Sequence, residues 1–183
     1  MQWEVKEKAT VIETIPFQVE ELRLHDKVRG EDTHPYHRLN CPDWVNVLPV
    51  TSAGEAILIK QSRAGTLKEE LEIPGGAVDA GEVDYAMAAL RELEEETGYT
   101  SRRVIPLGSI NPNPALFNNR LHMFLAFDCF VAPERKHFPD DGEQIEVVPT
   151  ALSELDLMVR TGQINSCLVS LSIMLAQKYL ATK

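Results

Sequence analysis

Apolar and charged positions alternate over residues 3–24 in two segments rich in Val, Ile and Thr, interrupted by Ile15-Pro16. A period of two predicts short antiparallel strands, forming a small N-terminal β appendage. Residues 30–42 are dense in turn formers and polar side chains, so the boundary between the appendage (1–42) and the main domain (43–183) is placed there. Strands at 44–51 and 56–61, joined by the turn Ser52-Ala53-Gly54, open the main domain as a hairpin. A loop after Pro74-Gly75-Gly76 runs to Gly81-Glu82, and a helix follows from about 84 to 97, closed by Gly98 in a C-terminal cap position. Strands at 100–110 and 121–131 flank a Pro- and Asn-rich loop at 111–119, and a strand at 145–148 leads into a helix at 153–160 that Gly162 ends. The last helix, 168–180, is expected to bury Leu168, Leu171 and Leu175, with Met174 and Tyr179 beside that stripe. Strands interrupted by helices make this an α/β chain in which helices cover a sheet.

Composition narrows the functions that such a fold could serve. With 183 residues, 44% of them hydrophobic, the chain can bury one substantial core and carry small appendages. Its formal net charge of −10 opposes attraction to nucleic-acid backbones and anionic membranes, so neither is an expected partner. An acidic protein that handles phosphate compounds needs local positive charge, which a bound divalent metal supplies. Cys41, Cys129 and Cys167 are odd in number and far apart, indicating neither a disulfide framework nor zinc-ligand spacing, as suits a reducing cytoplasm. The first residues lack a signal-peptide pattern and the apolar stretch 167–176 is shorter than a membrane span, so a soluble cytoplasmic protein is expected.

The chemistry concentrates on the 84–97 helix. Glu92, Glu95 and Glu96 lie three and four residues apart and share a face, while Ala86, Ala89, Leu90 and Leu93 occupy the neighbouring face that would anchor the helix to the sheet. Like charges at these spacings cost roughly 0.2–0.5 kcal/mol per pair even when exposed. A charge run alone is most often a solvated face. Here it follows Gly75-Gly76, a segment able to bring backbone close to a ligand. Glu82, just before the helix, can fold back toward it, and Arg91 can hold the adjacent carboxylate in a fixed direction. Oxygen-rich sites of this kind suit Mg²⁺ or Mn²⁺, and a divalent ion turns the repulsion into attraction.

Gly76-Ala77-Val78-Asp79-Ala80-Gly81-Glu82, followed by Arg91-Glu92-Leu93-Glu94-Glu95-Glu96-Thr97-Gly98-Tyr99, resembles the Nudix box, G-x5-E-x7-R-E-U-x-E-E-x-G-U with U apolar. Every fixed residue type is present. The departure is one extra residue between Glu82 and Arg91, expected at the loop-to-helix junction, which leaves open whether Glu82 reaches the metal. Glu72-Ile73-Pro74-Gly75-Gly76, preceded by Ile59-Lys60-Gln61-Ser62-Arg63, is similar to the region upstream of the box in ADP-ribose and nucleoside diphosphate sugar pyrophosphatases of this superfamily.

The resemblance implies a Nudix-like α/β/α sandwich with a mixed sheet and metal-dependent hydrolysis of a nucleoside diphosphate sugar, releasing a nucleoside monophosphate and a sugar phosphate. By matching positions, Glu92, Glu96, Glu95, Glu82 and the Gly75 carbonyl would hold Mg²⁺, with Mn²⁺ as the alternative. Arg91 and Glu95 would support catalysis. The base would come from the loop Asp140-Asp141-Gly142-Glu143, with Glu143 first and Glu146 second, a solvated turn being the competing reading. Arg63 resembles an arginine that contacts substrate phosphate or ribose, against the alternative of an ion pair at a strand end. Phe17, Trp3 and Trp44 could stack on a base, although strand aromatics are more often core. His34 and His37 have a ligand-like spacing, but an exposed loop pair without further partners is read as having no metal role. A homodimer is implied, the N-terminal strands of one subunit completing the other's substrate site. The rival readings are a Nudix hydrolase of nucleoside triphosphates or dinucleoside polyphosphates, and a catalytically silent nucleotide sensor.

Overall fold

A computed structural model describes residues 2–139 and 144–182. Its residues fall into two compact units, one comprising the stretch up to Asp43 together with Ile110–Arg120, the other Trp44–Ser109 and Leu121–Lys183.

In the first unit, β1 (Trp3–Glu13) pairs antiparallel with β2 (Gln18–Asp26), and β2 also carries β3 (Glu31–Asp32) and β4 (Tyr36–Asn40). The β1–β2 turn is closed by Thr14, whose hydroxyl donates to the Phe17 carbonyl at 2.5 Å. The region 30–42, expected as a turn-rich boundary, contributes two strands instead: Tyr36, Arg38 and Asn40 lie opposite Leu22, Glu20 and Gln18. Their polar side chains hid the strand, because its central cross-strand pair, Arg38 with Glu20, is an ion pair and not an apolar contact. Glu20, 2% exposed, receives Arg38 Nε at 2.7 Å and Lys8 Nζ at 3.0 Å. Burial raises the pKa of that carboxyl, but the two cations outweigh it and hold it below its ordinary value. The 111–119 loop belongs to the same unit, through Leu39 N donating to Leu116 O at 2.7 Å and Asn119 Nδ2 donating to Pro42 O at 2.8 Å.

The second unit is built on a mixed sheet. Its path is β10 (Arg103–Ile110), β11 (Leu121–Val131), β5 (Trp44–Thr51), β6 (Glu55–Arg63) and β12 (Ile145–Ala151), with β7 (Lys68–Glu72) on β6, β8 (Gly75–Ala77) on β5 and β9 (Tyr99–Thr100) on β11. β11 runs parallel to β5 and the β6–β12 pair is antiparallel. The expected hairpin of β5 and β6 touches only at Val50–Ala56, since most of β5 is engaged by β8 and β11. β5 is therefore a central strand buried on both faces, as its near-continuous Val and Leu run requires. Val45 and Val47 pack with Ala88, Ala89 and Leu93 of α1 (Tyr85–Thr97), whereas Leu48 and Val50 pack with Val169, Ile173 and Ala176 of α3 (Cys167–Leu180). Helices on opposite faces of a mixed sheet give the α/β/α sandwich. α2 (Leu155–Arg160) follows a short 3₁₀ turn and ends at Thr161, before Gly162.

α3 corrects the expected inward stripe. Val169, Ser172, Ile173 and Ala176 are buried, Leu168, Leu171 and Leu175 are half-buried, and Met174 is exposed. Val169, Ile173 and Ala176 join the core cluster that holds Leu48 and Val50 of β5, so the face rich in leucines lies to one side of that contact. On α1 the buried residues are Ala88, Ala89, Glu92, Leu93 and Glu96, while Ala86 and Leu90, expected to anchor it, are half-buried.

Candidate active site

α1 starts where a side chain can satisfy its free N–H groups: Asp84 accepts from Ala86 N at 3.0 Å and Met87 N at 3.2 Å. It ends at Gly98, which takes the left-handed conformation (φ 72°) and donates to Glu94 O at 2.9 Å. Between these caps the helix carries Glu92, Glu94, Glu95 and Glu96 in its C-terminal half, with no basic residue in the last turn. Carboxylates there oppose the helix dipole as well as one another. This arrangement is costly for folding and calls for a cation.

Arg91 supplies part of it. Its Nη1 donates to Glu92 Oε1 at 2.9 Å and to Glu95 Oε2 at 2.7 Å, and its Nη2 donates to Glu82 Oε2 and the Ala77 carbonyl, each at 3.3 Å. Asp79 lies 3.7 Å from Nε, too far for a hydrogen bond. Burial lowers the guanidinium pKa, but the charges of Glu92, Glu95, Asp79 and Glu82 outweigh it and push the value up. Glu82 thus joins the cluster despite the extra residue. That residue is taken up between Glu82 and the helix, where Val83 is 89% exposed.

The two glycines fix where these carboxylates sit. Gly75 N donates to Glu96 Oε2 at 2.9 Å. A Cβ on Gly76 would lie 2.7 Å from both Glu92 carboxylate oxygens, and one on Gly75 would overlap the Val45 carbonyl oxygen. Close approach of backbone requires glycine at position 75, whereas at position 76 a Cβ would displace the Glu92 carboxylate. β8 holds both residues against β5 through Asn46–Gly75 and Val45–Gly76 pairing.

Glu92 and Glu96 are 9% and 8% exposed, and one guanidinium faces four carboxylates. Among the described residues no three acidic, His or Cys side chains already converge as a ligand set, because Glu82, Glu92 and Glu95 turn onto Arg91 and Glu96 turns onto Gly75. The donor set is nevertheless all oxygen and the surplus charge is negative, the combination that a hard divalent cation such as Mg²⁺ fits. Gly75 and Gly76 also line a cleft of about 650 Å³, with Trp44, Arg63, Glu70 and Ser166 around it.

Of the other expected residues, Trp44 and Arg63 are at this cleft. Arg63 is also ion-paired, its Nη2 lying 2.5 Å from Glu72 Oε2. Phe17 sits half-buried at the β1–β2 turn of the other unit. Trp3 packs on Tyr36 at 5.3 Å, and His37 pairs with Glu21 at 3.5 Å, both within the N-terminal sheet. Glu146, on β12, is exposed and lies 3.7 Å from Lys60. Glu143 lies outside the described residues.

Three contributors escaped the sequence reading: Asp79 beside Arg91, Glu70 in the cleft, and Arg135, whose guanidinium donates to the Glu95 carbonyl. The first lies inside the box at one of its unspecified positions, and the other two depend on tertiary pairing.

Helix, glycine strand and cleft together define a Nudix-type site. The NUDIX domain family model matches residues 42–164, and the chain belongs to the Nudix family. It is 34% identical over 123 residues to the ADP-ribose pyrophosphatase of Bacillus subtilis (strain 168), covering 67% of this chain and 65% of that protein. It is 38% identical over 125 residues to the ADP-sugar pyrophosphatase of Mus musculus, covering 64% and 56%. The chain thus spans less than two thirds of either relative's length. A crystal structure of an ADP compounds hydrolase has the same fold, with a TM-score of 0.85 at 23% identity over 100% of this chain and 96% of that one. Among the described residues, no helix is long and apolar enough to cross a membrane.

Proposed function

We propose that the protein hydrolyses the pyrophosphate bond of a nucleoside diphosphate sugar, of the ADP-ribose or ADP-sugar type, to a nucleoside monophosphate and a sugar phosphate. The reading rests above all on the cluster of carboxylates gathered by Arg91 directly behind Gly75 and Gly76, which line an open cleft. The names of the Bacillus and mouse relatives favour ADP-linked sugars as the substrate class.

Glu92, Glu96, Glu95, Glu82 and the Gly75 carbonyl would hold Mg²⁺, or Mn²⁺ in its place. When bound, the ion supplies Lewis-acid charge that offsets the diphosphate and makes water acidic. Arg91 donates to Glu92, Glu95 and Glu82 and so ties these three carboxylates to one another beside the glycine strand. Water attacks one phosphorus, the bridging oxygen leaves with the other, and a base removes the water proton. Glu143 is the proposed base; Glu146, tied to Lys60, is the second choice. Arg63 and Trp44 bind substrate from the cleft wall, and Phe17 is kept as a third substrate contact on the resemblance alone.

The N-terminal sheet is proposed as a homodimer interface. β1 is exposed along all of its 11 residues and forms a sheet edge that includes Trp3, Val5, Val11 and Ile12. Such an edge invites pairing with a second copy.

The test is product identification with Mg²⁺ and a panel of ADP-ribose, ADP-glucose, GDP-mannose, NADH, diadenosine polyphosphates and nucleoside triphosphates. Release of AMP and a sugar phosphate from the ADP-sugars supports the reading. Hydrolysis of triphosphates alone rejects it.

A further inference from the structure

β6 and β7 form an antiparallel ladder in which Gln61 lies opposite Glu70 and Ile59 opposite Glu72. Side chains two apart on a strand share a face, so Glu70 and Glu72 point the same way. Both line the cleft, together with Arg63. Their circumstances differ. Glu72 Oε2 receives Gln61 Nε2 at 3.3 Å, Arg63 Nε at 3.1 Å and Arg63 Nη2 at 2.5 Å. Glu70, 8% exposed, has an Oε1 shielded from water that finds no hydrogen-bond donor among the described residues. A buried carboxylate oxygen without a donor is costly, because it has given up water and received nothing in exchange. The neighbouring cation, Arg63, donates to Glu72 and not to Glu70. Because Glu70 belongs to the cleft wall, a small turn of its side chain would present this oxygen to a donor carried by a ligand in the cleft.

The chemistry of that donor is constrained. A carboxylate accepts hydrogen bonds and repels phosphate, so in a nucleoside diphosphate sugar its partner is a donor away from the phosphates, and the sugar hydroxyls are the most numerous of these. The same cleft is lined by Gly75 and Gly76, behind which the acidic cluster lies. On the proposed function, a diphosphate bound at those glycines would carry its attached sugars along the cleft wall that includes Glu70. We infer that Glu70 is a specificity-determining residue that accepts hydrogen bonds from the hydroxyls of a substrate sugar and disfavours substrates bearing an additional phosphate in their place. The inference rests on the proposed hydrolysis of sugar-linked diphosphates.

The experiment compares wild type, E70Q and E70A on ADP-ribose, on analogues lacking single hydroxyls of the distal ribose or of the adenosine ribose, and on ATP. Wild type is expected to lose about tenfold in kcat/KM on at least one deoxy analogue, mainly through KM, because a hydrogen bond to a charged acceptor is lost. Which ring carries that hydroxyl separates the two sugars as its source. E70A is expected to fall about tenfold on ADP-ribose and to treat that analogue and the parent alike. E70Q, nearly isosteric, keeps the fold and is expected to raise the ratio of ATP to ADP-ribose turnover. Deoxy discrimination that persists undiminished in both variants overturns the inference, as does an unchanged ATP ratio in E70Q when the discriminating hydroxyl is on the distal ribose, the ring that ATP lacks. If wild type cleaves no sugar-linked diphosphate, the proposed function itself falls; wild-type cleavage that is indifferent to Glu70 overturns only this assignment.

Discussion

Substituting Gly76 by Ala isolates the geometry on which the acidic cluster depends. The added Cβ would lie 2.7 Å from both oxygens of the Glu92 carboxylate. A relaxed carbon–oxygen contact needs about 3.3–3.6 Å, so the carboxylate must retreat by roughly 0.6–0.9 Å. The obstacle is the end of a side chain, and it can yield without moving backbone. The stability cost should therefore be about 1 kcal/mol, a melting shift of roughly 2–4 °C for a chain of this size. Activity should suffer far more, since displacing a reacting or ligating group by close to 1 Å costs on the order of 100-fold. Gly75→Ala provides the contrast, because its Cβ would collide with the Val45 main-chain carbonyl, in the strand pair that positions both glycines. There backbone must move, and a loss of about 3 kcal/mol, or roughly 6–12 °C, is expected alongside the loss of turnover. The assay is ADP-ribose hydrolysis in Mg²⁺ with thermal melting of the same preparations. A Gly76→Ala protein with wild-type turnover would refute the claim that Glu92 must occupy its observed place.

Other expectations follow from the same contacts. Arg91→Ala leaves four acidic neighbours without their shared cation and should lower stability by about 3 kcal/mol in chelator, part of it regained in millimolar Mg²⁺; chemical denaturation with and without the ion reads this directly. Glu143→Gln should cut kcat by at least about 100-fold with metal affinity intact, whereas Glu146→Gln should stay within a few-fold of wild type; the reverse pattern would exchange the proposed base. Cys129 is 5% exposed, and burial pushes its thiol up to about 11 from an ordinary value near 9. The unfolded chain then releases that proton first, so the contribution is intact below pH 9 and is lost as pH rises toward 11, by about 1.4 kcal/mol per unit at most. Stability measured across that range should fall less steeply in Cys129→Ala. Light scattering at micromolar concentration should give a dimer that Val5→Lys combined with Ile12→Lys disperses; an active wild-type monomer would remove the dimer proposal.

Much of this was legible in the sequence where local chemistry decides the structure. α1 announced itself through Asp84, Gly98 and its glutamates, and its observed span, Tyr85–Thr97, begins one residue after the expected start. β11 is Leu121–Val131, as its apolar run predicts. β7 was not legible, because Lys-Glu-Glu-Leu-Glu has the composition of a solvated segment; it is a strand because β6 supplies its hydrogen bonds. Glu70 was missed for that reason, since an acid among acids gives no hint that the cleft wall will bury it. On α3, two apolar stripes of the same period compete, and packing against β5 selects the one with Val169, Ser172, Ile173 and Ala176. Arg135 and Glu95 are 40 residues apart, so their contact exists only once β11 has returned the chain to the end of α1.

The claim at the centre is that the carboxylates behind Gly75 and Gly76 hold a divalent cation. Titrating the protein with Mn²⁺, with free ion followed by electron paramagnetic resonance, tests it without reference to any substrate. Saturable binding by wild type, weakened at least about tenfold in Glu92→Gln and in Glu96→Gln while both variants melt as folded proteins, is the predicted result. Binding of equal strength in all three proteins, or none in wild type, would contradict it.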